Sequence, residues 1–146
     1  MKIRRIVADD VESIFDIRNS VKENYLSRKE VKELGFTPDS LRQMLLTDCT
    51  GWIALIDDYP IGFSVVNKTE NKILGLVIRP DFEGKGLGKI LLNEAEKCLM
   101  KEGAEEAWLC TPSDPATRAH QFYKRLGWKE SGIMPDGQIR YTKKLS

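Results

Sequence analysis

The chain has 146 residues, 41% of them hydrophobic and 31% charged, a length and balance that suit one globular domain spanning 1–146 and exclude collagen-like, mucin-like and wholly disordered chains. A domain of about 150 residues buries roughly 70% of its unfolded-chain surface, so neither metal nor disulfide is required for folding. Lys plus Arg number 23 and Asp plus Glu 22, a formal net charge of +1, which lacks the broad basic footprint of a dedicated nucleic-acid binder.

The N-terminus, MKIRRIVADD, is charged from its start and has no signal-peptide h-region. Ile3 to Val7 reads as a short strand. Asp9 or Asp10 caps a helix whose apolar positions are Val11, Ile14, Phe15 and Val21. Ser27 and Glu30 have the spacing of a capping box for a short helix that Gly35 ends. Thr37-Pro38 opens another helix, with Leu41, Met44 and Leu45 on one face. Trp52–Ile56 and Ile61–Val66 then read as strands joined across Asp57-Asp58-Tyr59-Pro60, an antiparallel hairpin. Ile73–Ile78 is nearly all apolar, the pattern of a strand buried on both faces. From Gly86 the chain turns helical, with Leu87, Ile90, Leu91, Ala95, Cys98 and Leu99 on one side and Gly103 at its end. Ala107–Thr111 is a strand. Asp114-Pro115 starts a last helix with Ala119, Phe122, Tyr123 and Leu126 as its stripe and Gly127 as its cap. Trp128–Ile133 and Gln138–Lys143 form a final hairpin across Pro135-Asp136-Gly137. This order predicts a mixed α/β domain with a central, partly antiparallel sheet.

Three scattered cysteines, Cys49, Cys98 and Cys110, have no C-x-x-C spacing, and His120 is the single histidine. They suggest neither a disulfide framework nor a structural zinc site, and they favour a reducing compartment. No apolar run approaches the roughly 20 residues of a membrane span. The expectation is a soluble cytoplasmic protein with no metal and no membrane or nucleic-acid partner.

The most informative stretch runs from Ile78 to Lys89. A buried strand leads into glycines at 84, 86 and 88 and then into an amphipathic helix. Glycines let the backbone turn tightly and approach a ligand closely, and a helix N-terminus offers unpaired N–H groups and a positive dipole end, a site for phosphate or pyrophosphate. Lys85 and Lys89 add positive charge. Two familiar loops fail on spacing. Gly88-Lys89 is followed by Ile90 rather than Ser or Thr, and G-x-G-x-x-G ends on Lys89 or Leu91 instead of Gly. Glycines that serve only the packing of the helix entry are the plainer reading.

Glu83-Gly84-Lys85-Gly86-Leu87-Gly88 resembles the acetyl-CoA loop of the GNAT superfamily of N-acetyltransferases, whose pattern is Q/R-x-x-G-x-G/A. Val77-Ile78-Arg79-Pro80 before it and Lys89-Ile90-Leu91-Leu92 after it are similar to the family's flanks. Arg118-Ala119, Phe122-Tyr123 and Gly127-Trp128 resemble the family's R-A-x-x-F-Y-x-x-x-G-F/W segment, and Ile139–Leu145 looks like a family ending. The resemblance covers essentially the whole chain. It implies the GNAT fold, a mixed, mostly antiparallel sheet of about seven strands flanked by helices, and transfer of acetyl from acetyl-CoA to a primary amine of a small molecule or protein.

The resemblance also implies a division of labour. Main chain near Val77 and Ile78 would pair with the pantetheine arm, and its N–H would stabilise the oxyanion formed on amine attack. Main chain of Glu83, Gly84, Lys85, Gly86, Leu87, Gly88 and Lys89 would hold the pyrophosphate. Tyr123 matches the family tyrosine beside the thioester sulfur and would protonate the thiolate as general acid. Two positions depart from the pattern. Glu83 replaces Gln or Arg, and Ala116 replaces an Asn that helps hold the cofactor, which leaves Thr117 or Arg118 to compensate.

The acceptor is expected near Arg18, Glu23 and Asn24 at the end of the first helix, although a charged helix end is ordinarily a solvated surface. The general base is Glu70, another acid or a water chain, because the strand before the loop carries no carboxylate. His120 reads as a solvent-exposed helix residue and Cys110 as a buried small residue. A homodimer is in keeping with the family. The runner-up reading is a non-catalytic acyl-CoA-binding sensor or subunit.

Overall fold

A computed structural model describes residues 1–21, 37–111 and 118–145. In chain order its elements are β1 (Lys2–Arg5), a 3-10 turn (Ala8–Asp10), α1 (Val11–Asn19), α2 (Pro38–Leu46), β2 (Cys49–Ile56), β3 (Tyr59–Asn67), β4 (Lys72–Ile78), a second 3-10 turn (Pro80–Phe82), α3 (Leu87–Lys101), β5 (Glu106–Thr111), α4 (Arg118–Arg125), β6 (Lys129–Ile133) and β7 (Ile139–Lys144). The strands form one seven-stranded sheet in the order β1-β2-β3-β4-β5-β7-β6. Among the described residues only β4 and β5 run parallel to each other. The predicted capping box at Ser27 and Glu30, the cap Gly35 and the Asp114-Pro115 helix start lie outside the described residues.

Local chemistry accounts for most boundaries. Thr37 accepts a hydrogen bond from the Ser40 N–H at 3.1 Å while Ser40 Oγ accepts from the Thr37 N–H at 2.8 Å, and Pro38 occupies the first helical position. Asp10 accepts from the Val7 N–H at 2.8 Å, so it closes the 3-10 turn that leads into α1. That helix ends at Asn19, two residues short of the predicted Val21, and Ile17 takes the buried position instead. In the β2–β3 hairpin Asp57 and Asp58 both adopt positive φ, 49° and 65°, a two-residue turn whose twist matches that of the flanking strands. Tyr59 and Pro60, read from sequence as turn, therefore belong to β3.

The sheet separates two apolar layers. Trp52, Ala54 and Ile61 pack with Leu87, Leu91, Leu92, Ala95 and Leu99 of α3 and with Tyr123 of α4. Ile53, Leu55, Phe63 and Val65 pack with Val11, Ile14, Phe15 and Ile17 of α1 and Leu41 of α2. It is thus β2 and β3 that are buried on both faces. The prediction placed that pattern on β4, yet only Ile73 of that strand is fully buried and Leu74–Ile78 are half-buried, because β4 loses a neighbour part-way along. On α3 the predicted apolar Ile90 faces solvent at 40% exposure and Leu92 is buried in its stead. Each fully buried leucine contributes about 1.5–3 kcal/mol.

Candidate functional site

The site begins with a bulge. Val65 pairs with Gly75 but Val66 pairs with Ile73, so Leu74 has no partner in the register. An extra residue bends its strand, and here it does so immediately after Lys72, which pairs with Trp108 of β5. Among the described residues that is the single paired position between β4 and β5, so the two parallel strands part beyond it. Trp108 holds the closed end. Its backbone N–H donates to Asn71 O at 3.1 Å and its indole N–H to Glu70 O at 2.9 Å. The Lys72 ammonium and the Arg140 guanidinium lie 4.5 and 4.9 Å from its ring.

Backbone direction in the open half follows from parity. The Arg79 N–H donates to Ile61 O of β3 at 2.8 Å. Main-chain groups alternate sides along a strand, so those of Gly75 and Val77 also turn toward β3, and those of Leu76 and Ile78 face the side that β5 has left. Of the two residues expected to meet the pantetheine, Ile78 presents its N–H to the opening and Val77 directs its own into the sheet. Leu76 was not anticipated. The register makes it equivalent to Ile78, and register is not written in the sequence.

The glycine-rich turn closes the same end. Gly84 and Gly86 have φ of 78° and 81°, and no atom lies within 4 Å of where a Cβ would stand on either. They supply a left-handed backbone facing open space. Gly86 is the N-cap of α3 and no side chain caps that end, so the first N–H groups of the helix, at Leu87, Gly88 and Lys89, point outward without intrahelical acceptors. Gly88 differs, because a Cβ there would meet the Phe122 ring at 3.2 Å; its lack of a side chain lets α4 pack against the helix start, while its N–H stays among the outward-pointing ones. Lys85 and Lys89 are exposed. Lys85 lies 5.5 Å from the Phe82 ring, and Glu83 is half-buried.

Tyr123 approaches this loop through its neighbour Phe122. It is 7% exposed and walled by the rings of Phe122, Trp128 and Tyr141 at 5.2, 5.9 and 6.2 Å. Among the described residues its hydroxyl forms no hydrogen bond. Burial pushes its phenol above the ordinary tyrosine range, which further favours the protonated form it already has at neutral pH.

His120 corrects the prediction. It is 6% exposed rather than solvated. It stands one turn before Tyr123, with Nδ1 2.7 Å from the Tyr141 hydroxyl and Nε2 3.4 Å from Thr111 Oγ1. The i, i+3 spacing to Tyr123 was the available signal.

Residues 11–128 match the family model described as the acetyltransferase (GNAT) family. The chain belongs to the GNAT family of acetyltransferases. It is 30% identical over 136 residues to the peptidyl-lysine N-acetyltransferase YjaB of Salmonella typhimurium, covering 90% of this chain and 86% of that protein. It is 24% identical over 155 residues to an uncharacterised N-acetyltransferase of Methanocaldococcus jannaschii, covering 98% of this chain, and it spans 66% of that relative's length. The GNAT fold recurs in the PaiA N-acetyltransferase of Thermoplasma acidophilum, solved in complex with coenzyme A, with a TM-score of 0.82 at 24% identity over 99% of both chains.

Within this GNAT frame the remaining candidates divide. Arg18 lies at the end of α1, half-buried, and burial lowers its guanidinium below the usual arginine value. Glu23, Asn24 and Thr117 lie outside the described residues. Glu70 sits at the turn between β3 and β4, at the far end of β4 from Ile78. The six residue steps of that strand at roughly 3.3 Å put it about 20 Å from the loop, too far for a base. Cys110 is half-buried, and burial raises its thiol above the ordinary cysteine value, which argues against a reactive thiolate. Arg79, which the sequence offered with Lys85 as a partner for Glu83, pairs with Asp16. It donates to Pro60 O at 2.7 Å and to Asp16 of α1 at 2.8 Å, and it stacks on Tyr59, so it ties α1 to the end of β4. Among the described residues no group of three or more His, Cys, Asp or Glu is placed to hold a metal, and no helix is long and apolar enough to cross a membrane.

Proposed function

We propose that this GNAT protein transfers acetyl from acetyl-CoA to a primary amine of a small molecule or a protein, by direct attack. The observation that carries this reading is the meeting, at one end of the sheet, of a bulged and diverging β4 with the Gly84–Gly86 turn and the uncapped start of α3. That combination fits a long ligand with an amide-bearing arm and a pyrophosphate. Leu76 and Ile78 would pair with the arm as an added strand would. N–H groups from Gly84 to Lys89 would hold the pyrophosphate through the helix dipole, and Lys85 and Lys89 would add charge.

Bound acetyl-CoA supplies the activated acyl group. The Ile78 N–H would donate to the carbonyl oxygen as negative charge builds on it. Tyr123 would pass its proton to the sulfur as the C–S bond breaks. A carboxylate at position 83 does not oppose this assignment, because the contacts required are main-chain. Arg18, Glu23 and Asn24 are proposed to face the acceptor. Alanine at any of them raises acceptor KM if that placement holds.

The test is the melting temperature with and without acetyl-CoA. A native-state ligand at about 100 times its Kd stabilises by about 2.7 kcal/mol, or about 9 °C for a domain of this size. That rise, followed by coenzyme A thiol release with a lysine peptide or spermidine, is the expected result. Absence of a shift overturns the reading.

A further inference from the structure

No step above uses the titratable system one helical turn before Tyr123. His120 bridges two hydroxyls, Tyr141 at 2.7 Å and Thr111 at 3.4 Å. Tyr141 is fully buried, yet its hydroxyl also donates to Glu130 Oε1 at 3.4 Å. Glu130 on β6 lies at the surface, its side chain 53% exposed and paired with Lys124 at 3.3 Å. Thr111 is the last residue of β5, three positions beyond the pairing with Lys72, where the strands have already parted. The four side chains therefore run from the buried end of β5, past its pairing with β4, through the apolar layer that holds Tyr123, to a solvated carboxylate.

We propose that Thr111, His120, Tyr141 and Glu130 form a proton path from the cleft to bulk water, with His120 as its relay; the role rests on the acetyl transfer argued in the preceding section. The reaction requires an exit. An acceptor arrives as R–NH3⁺ and leaves as R–NH–CO–CH3. The N–C bond forms, the C–S bond breaks and its electron pair goes to sulfur. Of the two protons the nitrogen loses, one is balanced by the proton Tyr123 places on the thiol, and one is released net. A cleft filled by both substrates has little water to carry it.

Imidazole suits the task because it accepts at one ring nitrogen while releasing from the other. In one arrangement Nδ1–H donates to Tyr141 and Tyr141 donates to Glu130, while Nε2 accepts from Thr111. A proton entering at Thr111 passes to Nε2, the Nδ1 proton moves to the Tyr141 oxygen, and the Tyr141 proton moves to Glu130, which discharges it to water. Every atom keeps its valence. Among the described residues the titratable and charged groups facing this line are Tyr123 from α4, Glu130 from β6, Tyr141 from β7 and, through its pair with Glu130, Lys124. The two 3.4 Å contacts are of the kind that tighten once substrate is bound.

A buried histidine that merely satisfies two hydroxyls would have the same contacts, so the test reads proton transfer rather than stability. His120→Asn keeps an amide near the Nδ1 position but cannot relay; Tyr141→Phe keeps the ring and breaks the line. With acetyl-CoA and a lysine peptide or spermidine, both variants are expected to lose about 100-fold in kcat with acetyl-CoA KM within about twofold, a loss of general acid–base size. Added imidazole buffer should restore part of that loss in the variants while leaving the wild type insensitive to buffer. Wild-type kcat in either folded variant overturns the path, as does a loss that no buffer restores. If His120→Asn melts far below the wild type, Tyr141→Phe alone decides. A wild-type protein that neither shifts with acetyl-CoA nor releases thiol overturns the transferase reading itself, and the path with it.

Discussion

Tyr123 would keep its proton at neutral pH even in water, and its surroundings hold it further from ionisation. Three aromatic rings wall it in and burial raises its phenol, so the general-acid role proposed for it is tested by removing the hydroxyl alone. Tyr123→Phe keeps the packing and removes only a hydroxyl that has no protein partner among the described residues. Its kcat should fall about 100-fold while the acetyl-CoA Kd and the melting temperature hold, measured by calorimetry and thermal denaturation. An unchanged kcat would remove Tyr123 from the chemistry. Gly86 is a different case, since space around it is open and only its φ of 81° constrains it. Gly86→Ala should cost about 1 kcal/mol in urea denaturation from the left-handed backbone alone and raise the acetyl-CoA Kd. At this scale the loop was readable, because left-handed turns select glycine. His120 was misjudged because a polar residue beside an apolar stripe reads as solvated until its hydrogen-bond partners, Thr111 and Tyr141, are brought from distant strands.

Among the elements, the junction of β4 and β5 governs the site. Among the described residues one paired position holds two strands that then separate, and Trp108 reinforces it with two hydrogen bonds and two cations on its ring. Trp108→Ala should lower stability by about 2 kcal/mol in urea, less than a full core tryptophan because the residue is half-buried. It should also raise acetyl-CoA KM, since the opening loses its fixed end. A stability loss with unchanged KM would limit Trp108 to packing. Helix α3 shows where periodicity stops deciding. Both Ile90 and Leu92 border its apolar stripe, and the sheet beneath covers Leu92. Glu96, on the same helix, is buried because Lys143 of β7 meets it at 2.7 Å.

For the molecule as a whole, the edge strand β1 is tied by charge to the turn that leads into α1. Arg4 of β1 grips Asp10 with two hydrogen bonds of 2.7 and 2.9 Å. The hydrogen bond from Arg4, followed by that from the Val7 N–H, holds the Asp10 carboxyl below the usual aspartate value. A depressed carboxyl contributes stability that is present above its unfolded pKa of about 4 and is lost as pH falls through the folded value. The melting temperature of the wild type should therefore drop more steeply below about pH 4 than that of Asp10→Asn, which carries no titrating carboxyl there. Equal slopes would show that the pair does not stabilise the fold.

Local signals determined much of this protein. The Thr37-Pro38 cap, the paired aspartates of the hairpin, the glycines at 84 and 86 and the apolar stripes of the helices each depend on neighbours within a few residues, so element order and the family motifs were legible in the chain. Pairing between distant strands obeys no such rule. The insertion of β7 between β5 and β6, the bulge at Leu74, the choice of Leu76 and Ile78 over Val77 as the groups facing the opening, and the burial of His120 all depend on registers set by long-range contacts. The tertiary structure decides them because backbone donors and buried polar side chains must each find partners, and those partners are far away in sequence.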